Sequence, residues 1–119
     1  MPASRLLLLA WSCAALSIDR QRARLRTGVD YGWLRATPDV RRPRAPPLVF
    51  VHGTYHGGWC WESYLRRAAE EGYEAYAVDL RGTSGSPSSA KKVRMAEHVA
   101  DLRAFVADEL GGARVALVG

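Results

Sequence analysis

Residues 48–61 read LVFVHGTYHGGWCW, and they give the clearest indication of the fold. Its first four residues form a continuous apolar run, which is typical of a strand buried on both faces in a parallel sheet. The run ends abruptly in a loop that holds Gly53, Gly57 and Gly58 within six residues. Glycine lets the backbone turn sharply and lets another group approach it closely. The stretch therefore predicts a buried strand that runs into a tight loop.

Strands and helices alternate along the rest of the chain. Apolar positions recur at helical spacing in residues 61–69, which predicts an amphipathic helix closed by Gly72. Residues 73–80 predict a second strand, residues 95–110 a second helix and residues 115–118 a third buried strand. This order predicts the α/β class, in which a parallel sheet carries crossover helices on its faces and forms three layers.

Positive charge is concentrated near the amino terminus. The formal net charge is +5. Residues 1–44 carry nine bases and three acids, whereas residues 45–119 carry eight bases and nine acids. A nearly neutral foldable region excludes a domain that coats nucleic acid, so we expect no nucleic-acid partner. The two cysteines, Cys13 and Cys60, are too few for a disulfide framework or a metal cluster.

Residues 1–44 are predicted to be a leader and connector, and residues 45–119 to be the domain. Arg5 precedes the charge-free stretch 6–16, a pattern typical of a secretory signal or an organelle transit segment. A plain tail or a mis-assigned start is the alternative, so the compartment stays open. Within the leader, residues 31–36 predict one short strand. No apolar run approaches the roughly 20 residues of a membrane span.

Three motifs in chain order resemble the α/β-hydrolase family, and the resemblance that rests on them covers residues 48–119. VHGT at residues 51–54 is similar to the family's HG loop after its third strand. DLRGTSGS at residues 79–86 is similar to the DxRG-x-G-x-S loop after its fourth strand. VALVG at residues 115–119 is similar to its fifth strand, which runs into the first glycine of the GxSxG nucleophile elbow. The resemblance implies the N-terminal part of an α/β-hydrolase fold.

The glycine-rich loop narrows the resemblance. Residues 52–61 are similar to the HGxxHGxWxW stretch of plant methylesterases and hydroxynitrile lyases. The lyases carry threonine where this chain has Gly53, which favours the esterase side. The implied substrate is a small-molecule ester, with no cofactor and no metal. Trp59 and Trp61 are expected to anchor the core rather than to contact substrate.

The resemblance also implies an oxyanion hole, because acyl transfer passes through a tetrahedral oxyanion that backbone N–H groups stabilise. One donor would be the N–H of Thr54, and the other belongs to the residue after the nucleophile. His52 would brace the loop through its ring. Gly53 and Tyr55 would support the loop or contact substrate, and His56 either lines the mouth of the pocket or packs within the loop.

The catalytic residues themselves are expected beyond this sequence. The family's order is nucleophile, acid, base, so all three would follow Gly119. The serines of residues 84–89 and His98, expected at a helix surface or half-buried, make no triad with chemical logic. We therefore expect the N-terminal portion of an esterase-like hydrolase. Alone, this portion is expected to be inactive and either marginally stable or prone to aggregation.

Two other function classes are alternatives to the hydrolase. A non-catalytic binding or interaction module is the alternative to a portion of an enzyme, and the oligomeric state is left open. A dinucleotide-binding fold needs GxGxxG between a strand and a helix. Gly53, Gly57 and Gly58 do not give that spacing, which counts against such a fold.

Overall fold

The described part of the chain folds into a five-stranded mixed sheet with a helix on each face. A computed structural model describes residues 16–83, 85–88 and 92–119. The strands are β1 (Ser17–Arg24), β2 (Asp30–Thr37), β3 (Leu48–Val51), β4 (Ala75–Val78) and β5 (Ala116–Val118). The helices are α1 (Glu62–Glu70), which follows a 3-10 turn at Gly58–Trp61, and α2 (Met95–Glu109).

The strands lie in the order β1-β2-β4-β3-β5. β3 runs parallel to both of its neighbours, with Val49 opposite Tyr76 of β4 on one side and Leu117 of β5 on the other. β2 is antiparallel to both β1 and β4. The predicted parallel pairing is confirmed for β3, β4 and β5, and the α/β class with it. The two strands that precede β3 make the sheet mixed.

The helices cover opposite faces of the sheet. α1 packs through Leu65 against the face that contains Phe50. α2 packs through Phe105 against the face that contains Val49 and Trp33, and the Phe105 and Trp33 ring centroids lie 4.9 Å apart. Val49 and Phe50 are neighbours in β3 and are both buried, as expected for a strand covered on both faces. The three predicted layers are therefore confirmed.

The first two strands belong to the core sheet, so the expectation that residues 1–44 stand apart from the core is wrong for residues 17–37. Tyr31 and Trp33 of β2 are buried, and the strand predicted at residues 31–36 lies inside β2. The arginines of β1 suggested a solvated leader. An edge strand, however, commonly carries charged side chains on its exposed positions, and β1 is such a strand.

The other predicted elements differ from the structure only at their ends. β4 occupies Ala75–Val78 of the predicted residues 73–80. α2 ends at Glu109, one residue before the predicted end. α1 is closed by Gly72, whose φ of +88° suits the left-handed turn that ends a helix.

Two predictions concern targeting and membranes. The predicted targeting segment falls almost entirely on residues 1–15, which lie outside the described residues. Neither helix in the described ranges is long and apolar enough to cross a membrane.

An ion network at Glu74 ties β2 to the start of β4. The Glu74 carboxylate accepts hydrogen bonds from Arg35, at 2.6 Å, and from Arg41 and the Tyr76 hydroxyl. Burial raises the pKa of Glu74, but these hydrogen bonds and the positive charges of Arg35 and Arg41 lower it more. The pKa of Glu74 therefore lies below its ordinary value of 4.5.

This shift predicts an acid-sensitive contribution to stability. A carboxylate whose pKa is lower in the folded state stabilises the fold above its unfolded pKa, and the contribution is lost as the pH falls through the folded pKa. We expect the free energy of unfolding to decrease between about pH 5 and pH 3, and Glu74→Gln to flatten that decrease. Urea denaturation across this pH range measures both effects.

The matched control for this prediction is Glu62→Gln. Glu62 is exposed on α1 and makes no ion pair with any residue in the described ranges. Its substitution is expected to leave the pH dependence of unfolding as it is in the wild type. The assignment to Glu74 fails if both variants retain the wild-type slope.

Candidate functional site

A cleft with a volume of about 450 Å³ opens at the carboxyl ends of β3 and β4. One wall is the loop after β3, residues 52–55. The other wall is formed by residues 80–83 after β4, together with Val93, Met95 and His98. Ligands of open α/β sheets bind at the carboxyl ends of the strands. The structure thus brings four of the five predicted site residues, His52 to Tyr55, together on one wall.

His52 connects the two walls of the cleft. Its ring is buried, and Nε2 lies 3.0 Å from the backbone N of Leu80. A backbone N–H can only donate, so Nε2 is the acceptor and Nδ1 carries the proton. Nδ1 lies 2.8 Å from the Gly53 carbonyl oxygen and donates to it. Both ring nitrogens are therefore engaged by the backbone, which is the geometry of a brace.

The loop after β3 makes a tight turn at Tyr55. The N–H of His56 donates to the Gly53 carbonyl across 3.3 Å. Tyr55 has a φ of +63°, in the left-handed region that non-glycine residues rarely adopt, and its side chain is almost fully exposed. No residue in the described ranges accepts a hydrogen bond from the Thr54 N–H. This donor therefore remains available at the cleft wall.

His56 and the two tryptophans occupy different surroundings. His56 is absent from the cleft lining, and its ring packs edge-on against Trp59 with centroids 5.9 Å apart. Trp61 packs against Phe50 with centroids 5.1 Å apart, so Trp61 anchors the core as predicted. Trp59 is 57% exposed, and its predicted place in the core is wrong. Trp59 and Trp61 are two positions apart in a 3-10 turn, which has three residues per turn, so their side chains point in different directions.

Asp79 is the buried hub that sequence reasoning missed. Its side chain is only 2% exposed. One carboxylate oxygen accepts the Gly58 N–H at 2.7 Å, and the other accepts a guanidinium N–H of Arg20 at 2.9 Å. Its backbone N–H donates to the Gly32 carbonyl at 2.9 Å. Asp79 thereby joins β1, β2 and the 3-10 turn. Its place as the first residue of the DxRG-like motif was the local signal, but the motif does not specify these contacts.

The loop after β4 folds tightly over Asp79. Ser86 is buried, and its hydroxyl donates to the Asp79 carbonyl at 2.6 Å and accepts the Gly32 N–H at 2.8 Å. A Cβ on Gly85 would lie 1.8 Å from a carboxylate oxygen of Asp79. Ser86 therefore has a structural role. Ser88 lines the cleft, and Ser84 and Ser89 lie outside the described residues.

Arg81 fixes the second wall of the cleft to α2. Its guanidinium donates to both carboxylate oxygens of Asp101, at 2.8 and 2.7 Å, and to Glu97 at 3.3 Å. The hydrogen bonds to Asp101 raise the pKa of Arg81 above its ordinary value. Asp101 is fully buried, so this bidentate pair holds the loop after β4 firmly.

His98 completes the second wall. It is half-buried on α2, in line with its predicted place. Its Nδ1 is buried and has no hydrogen-bond partner among the described residues. Within the same residues, no group of three or more His, Cys, Asp or Glu side chains could hold a metal ion. The polar side chains that line the cleft are the rings of His52 and His98, the guanidinium group of Arg81, and the hydroxyl groups of Thr54, Tyr55, Thr83 and Ser88.

Comparisons with known proteins show that the sequence and fold of this chain are similar to those of hydrolases. A model of the Alpha/beta hydrolase family matches residues 48–119. The probable esterase PIR7A of Oryza sativa subsp. indica is 36% identical over 73 residues, which are 60% of this chain and 28% of that protein. Methylesterase 10 of Arabidopsis thaliana is 32% identical over 84 residues, which are 70% of this chain and 30% of that protein.

The solved structures agree with the sequence comparisons. An epoxide hydrolase from an endophytic Streptomyces has a TM-score of 0.72 and 28% identity, and the match covers 86% of this chain and 29% of that one. The match includes more of this chain than residues 48–119, in keeping with the place of β1 and β2 in the sheet. The chain spans less than a third of the length of each of these three relatives.

Proposed function

Because the chain belongs to the alpha/beta hydrolase family, we propose that it forms the oxyanion-hole wall of an esterase-like acyl hydrolase. The observation that carries this proposal is the anchoring of the peptide group between Gly53 and Thr54. Its carbonyl accepts hydrogen bonds from the His52 ring and from the His56 N–H. A trans peptide group points its N–H opposite to its carbonyl. The Thr54 N–H is therefore turned away from both donors.

In this orientation the Thr54 N–H can stabilise negative charge on a substrate oxygen. Attack on an ester carbonyl places negative charge on its oxygen, and one preorganised donor to that oxygen is worth about 3–4 kcal/mol in barrier height. The Thr54 N–H supplies such a donor at the carboxyl end of β3. His52 acts as a positioning residue, because it holds the Gly53 carbonyl and, through Leu80, the opposite wall.

The remaining parts of the reaction are assigned to residues after Gly119. The nucleophile, the acid and the base are proposed to lie there, as the family's chain order implies, and the residue after the nucleophile is proposed to supply the second oxyanion donor. The relatives named as esterases extend well beyond the matched segment. A small-molecule ester is the proposed substrate, and the isolated chain is proposed to be inactive.

The proposal is tested in a chimera in which residues 48–119 replace the matching segment of PIR7A. We expect the chimera to hydrolyse p-nitrophenyl acetate. Thr54→Pro removes the N–H and is expected to lower kcat by about 10²- to 10³-fold. Thr54→Ala keeps the N–H and is the matched control, with kcat nearly unchanged. Steady-state kinetics and circular dichroism are measured for each variant.

Two outcomes would contradict the proposal. Equal kcat values for the folded Thr54→Pro and Thr54→Ala chimeras would remove Thr54 from the oxyanion hole. Hydrolysis by the isolated 119-residue chain that disappears in Thr54→Pro would contradict the assigned dependence on residues after Gly119.

A second candidate function, a non-catalytic binding module, is favoured by the surface at β5. Leu117 is 60% exposed. With Leu102, Val106 and Val115 it lines an apolar groove of about 300 Å³ between β5 and α2. Exposed apolar surface of this kind commonly marks an interaction site. This function predicts a stable complex with a partner chain, and gel filtration that yields only monomer or soluble aggregate counts against it.

A further inference from the structure

A second cavity, which we call the edge notch, lies on β1 and is separate from the cleft. It has a volume of about 430 Å³ and is lined by Arg20, Gln21, Arg22 and Gly85. None of these residues lines the cleft. The proposed hydrolase function leaves the edge notch without a role.

The edge notch carries one positive charge that the described residues do not neutralise, because Asp79 pairs with Arg20 alone. Arg20 and Arg22 are two positions apart in β1, so their side chains lie on the same face of the sheet. Arg20 contacts Asp79 through one terminal nitrogen only. Arg22 donates to the Gly85 carbonyl at 3.1 Å and has no carboxylate within ion-pair distance in the described ranges.

The next arginine along the strand marks the end of this charged surface. Arg24 lies on the same face but is paired with Asp30 at 3.3 Å and also donates to the Gly28 carbonyl. Its charge is therefore compensated locally. Within the edge notch, Arg20 is paired with Asp79, so the unbalanced charge is that of Arg22.

We propose that the edge notch binds a phosphate group. A guanidinium group presents donors in a planar fork that matches the oxygens of a phosphate. The free N–H donors of two neighbouring guanidinium groups, of which only Arg20 has a carboxylate partner, need several acceptor oxygens to be satisfied together. A phosphate group offers more acceptor oxygens than the two of a carboxylate. The half-exposed position of Arg20 leaves the edge notch open to such a ligand.

The same contacts connect the edge notch to the loop after β3. Arg20 holds one oxygen of Asp79, and the other oxygen of Asp79 holds the Gly58 N–H. A phosphate that draws on Arg20 changes the charge facing Asp79. We therefore expect the chemical shift of the Gly58 amide to change when phosphate binds in the edge notch.

The test is a titration of the ¹⁵N-labelled 119-residue chain with inorganic phosphate, at constant ionic strength maintained with chloride. We expect saturable chemical-shift changes at the Arg22 and Gly85 amides and smaller ones at Gly58. Arg22→Gln is expected to weaken phosphate binding about tenfold or more. Arg66→Gln removes the same charge from an exposed position on α1 without an ion pair in the described ranges, and is expected to bind phosphate like the wild type.

The control variants distinguish phosphate binding at the edge notch, which is the proposal, from a nonspecific effect of charge. Shift changes that never saturate, or an equal loss of affinity in Arg22→Gln and Arg66→Gln, would overturn it. Arg22→Lys keeps the positive charge but lacks the planar N–H donors of the guanidinium group. This variant tests the proposal if Arg22→Gln does not give a native spectrum. A severalfold weaker affinity in Arg22→Lys supports the edge notch, and an unchanged affinity contradicts it.

Discussion

Replacing Asp79 by alanine is expected to lower the free energy of unfolding by about 2–4 kcal/mol, a large share of the stability of a small domain. The substitution leaves the buried Gly58 N–H without its acceptor at 2.7 Å. It also removes the partner of Arg20 and a side chain that is almost completely buried. A buried donor left without an acceptor costs about 1–3 kcal/mol by itself.

The matched control is Asp30→Ala. The ion pair between Asp30 and Arg24 is exposed on both sides, and such pairs contribute about 0–1 kcal/mol. Asp79→Asn keeps an oxygen for the Gly58 N–H and is expected to lie between the two. Urea denaturation followed by circular dichroism gives all three values. A loss for Asp79→Ala no larger than that for Asp30→Ala would show that the hub contributes little.

Gly85→Ala is expected to destabilise the chain by about 3 kcal/mol, at the upper end of overpacking effects. The added Cβ would lie 1.8 Å from a carboxylate oxygen, 2.4 Å from Cγ and 2.8 Å from Cβ of Asp79. Asp79 has no free rotamer to adopt, because Arg20 and the Gly58 N–H hold its two oxygens. The loop after β4 must therefore move away from the sheet.

Gly53→Ala provides the comparison for Gly85→Ala. A Cβ on Gly53 would meet no atom within 4 Å, so its cost is expected to stay within about 0.5 kcal/mol. Thermal and urea unfolding of both variants test the difference. In the Asp79→Ala background the cost of Gly85→Ala should fall, because the carboxylate is gone and only the Cβ contact remains. Additive costs would contradict the proposed clash.

The predictable part of the fold is the part with local patterns. β3, both helices, β4 and β5 follow from apolar runs and helical spacing between glycine-rich breaks, which depend only on nearby residues. β1 escaped because its arginines gave it the composition of a leader, although β2 beside it was foreseen as a strand. An edge strand has only weak sequence signals, since much of its side-chain surface meets water.

The candidate site was foreseen through motifs rather than through contacts. The HG loop and the place of Thr54 came from a resemblance, and the structure adds the hydrogen bond between His52 and Leu80 that connects the two walls. The ion pair between Arg20 and Asp79 joins residues 59 positions apart. No local pattern encodes such a contact, because folding alone brings the two groups together.

The anchored peptide group between Gly53 and Thr54 makes the direction of the oxyanion donor independent of the side chain at position 54. In the proposed hydrolase, the donor to the oxyanion belongs to the main chain, and its direction is set by residues 52, 53 and 56. The side chain at position 54 has no share in that direction. Substitutions at position 54 can therefore change substrate preference during evolution while the N–H donor keeps its direction. Proline is the exception, because it has no N–H.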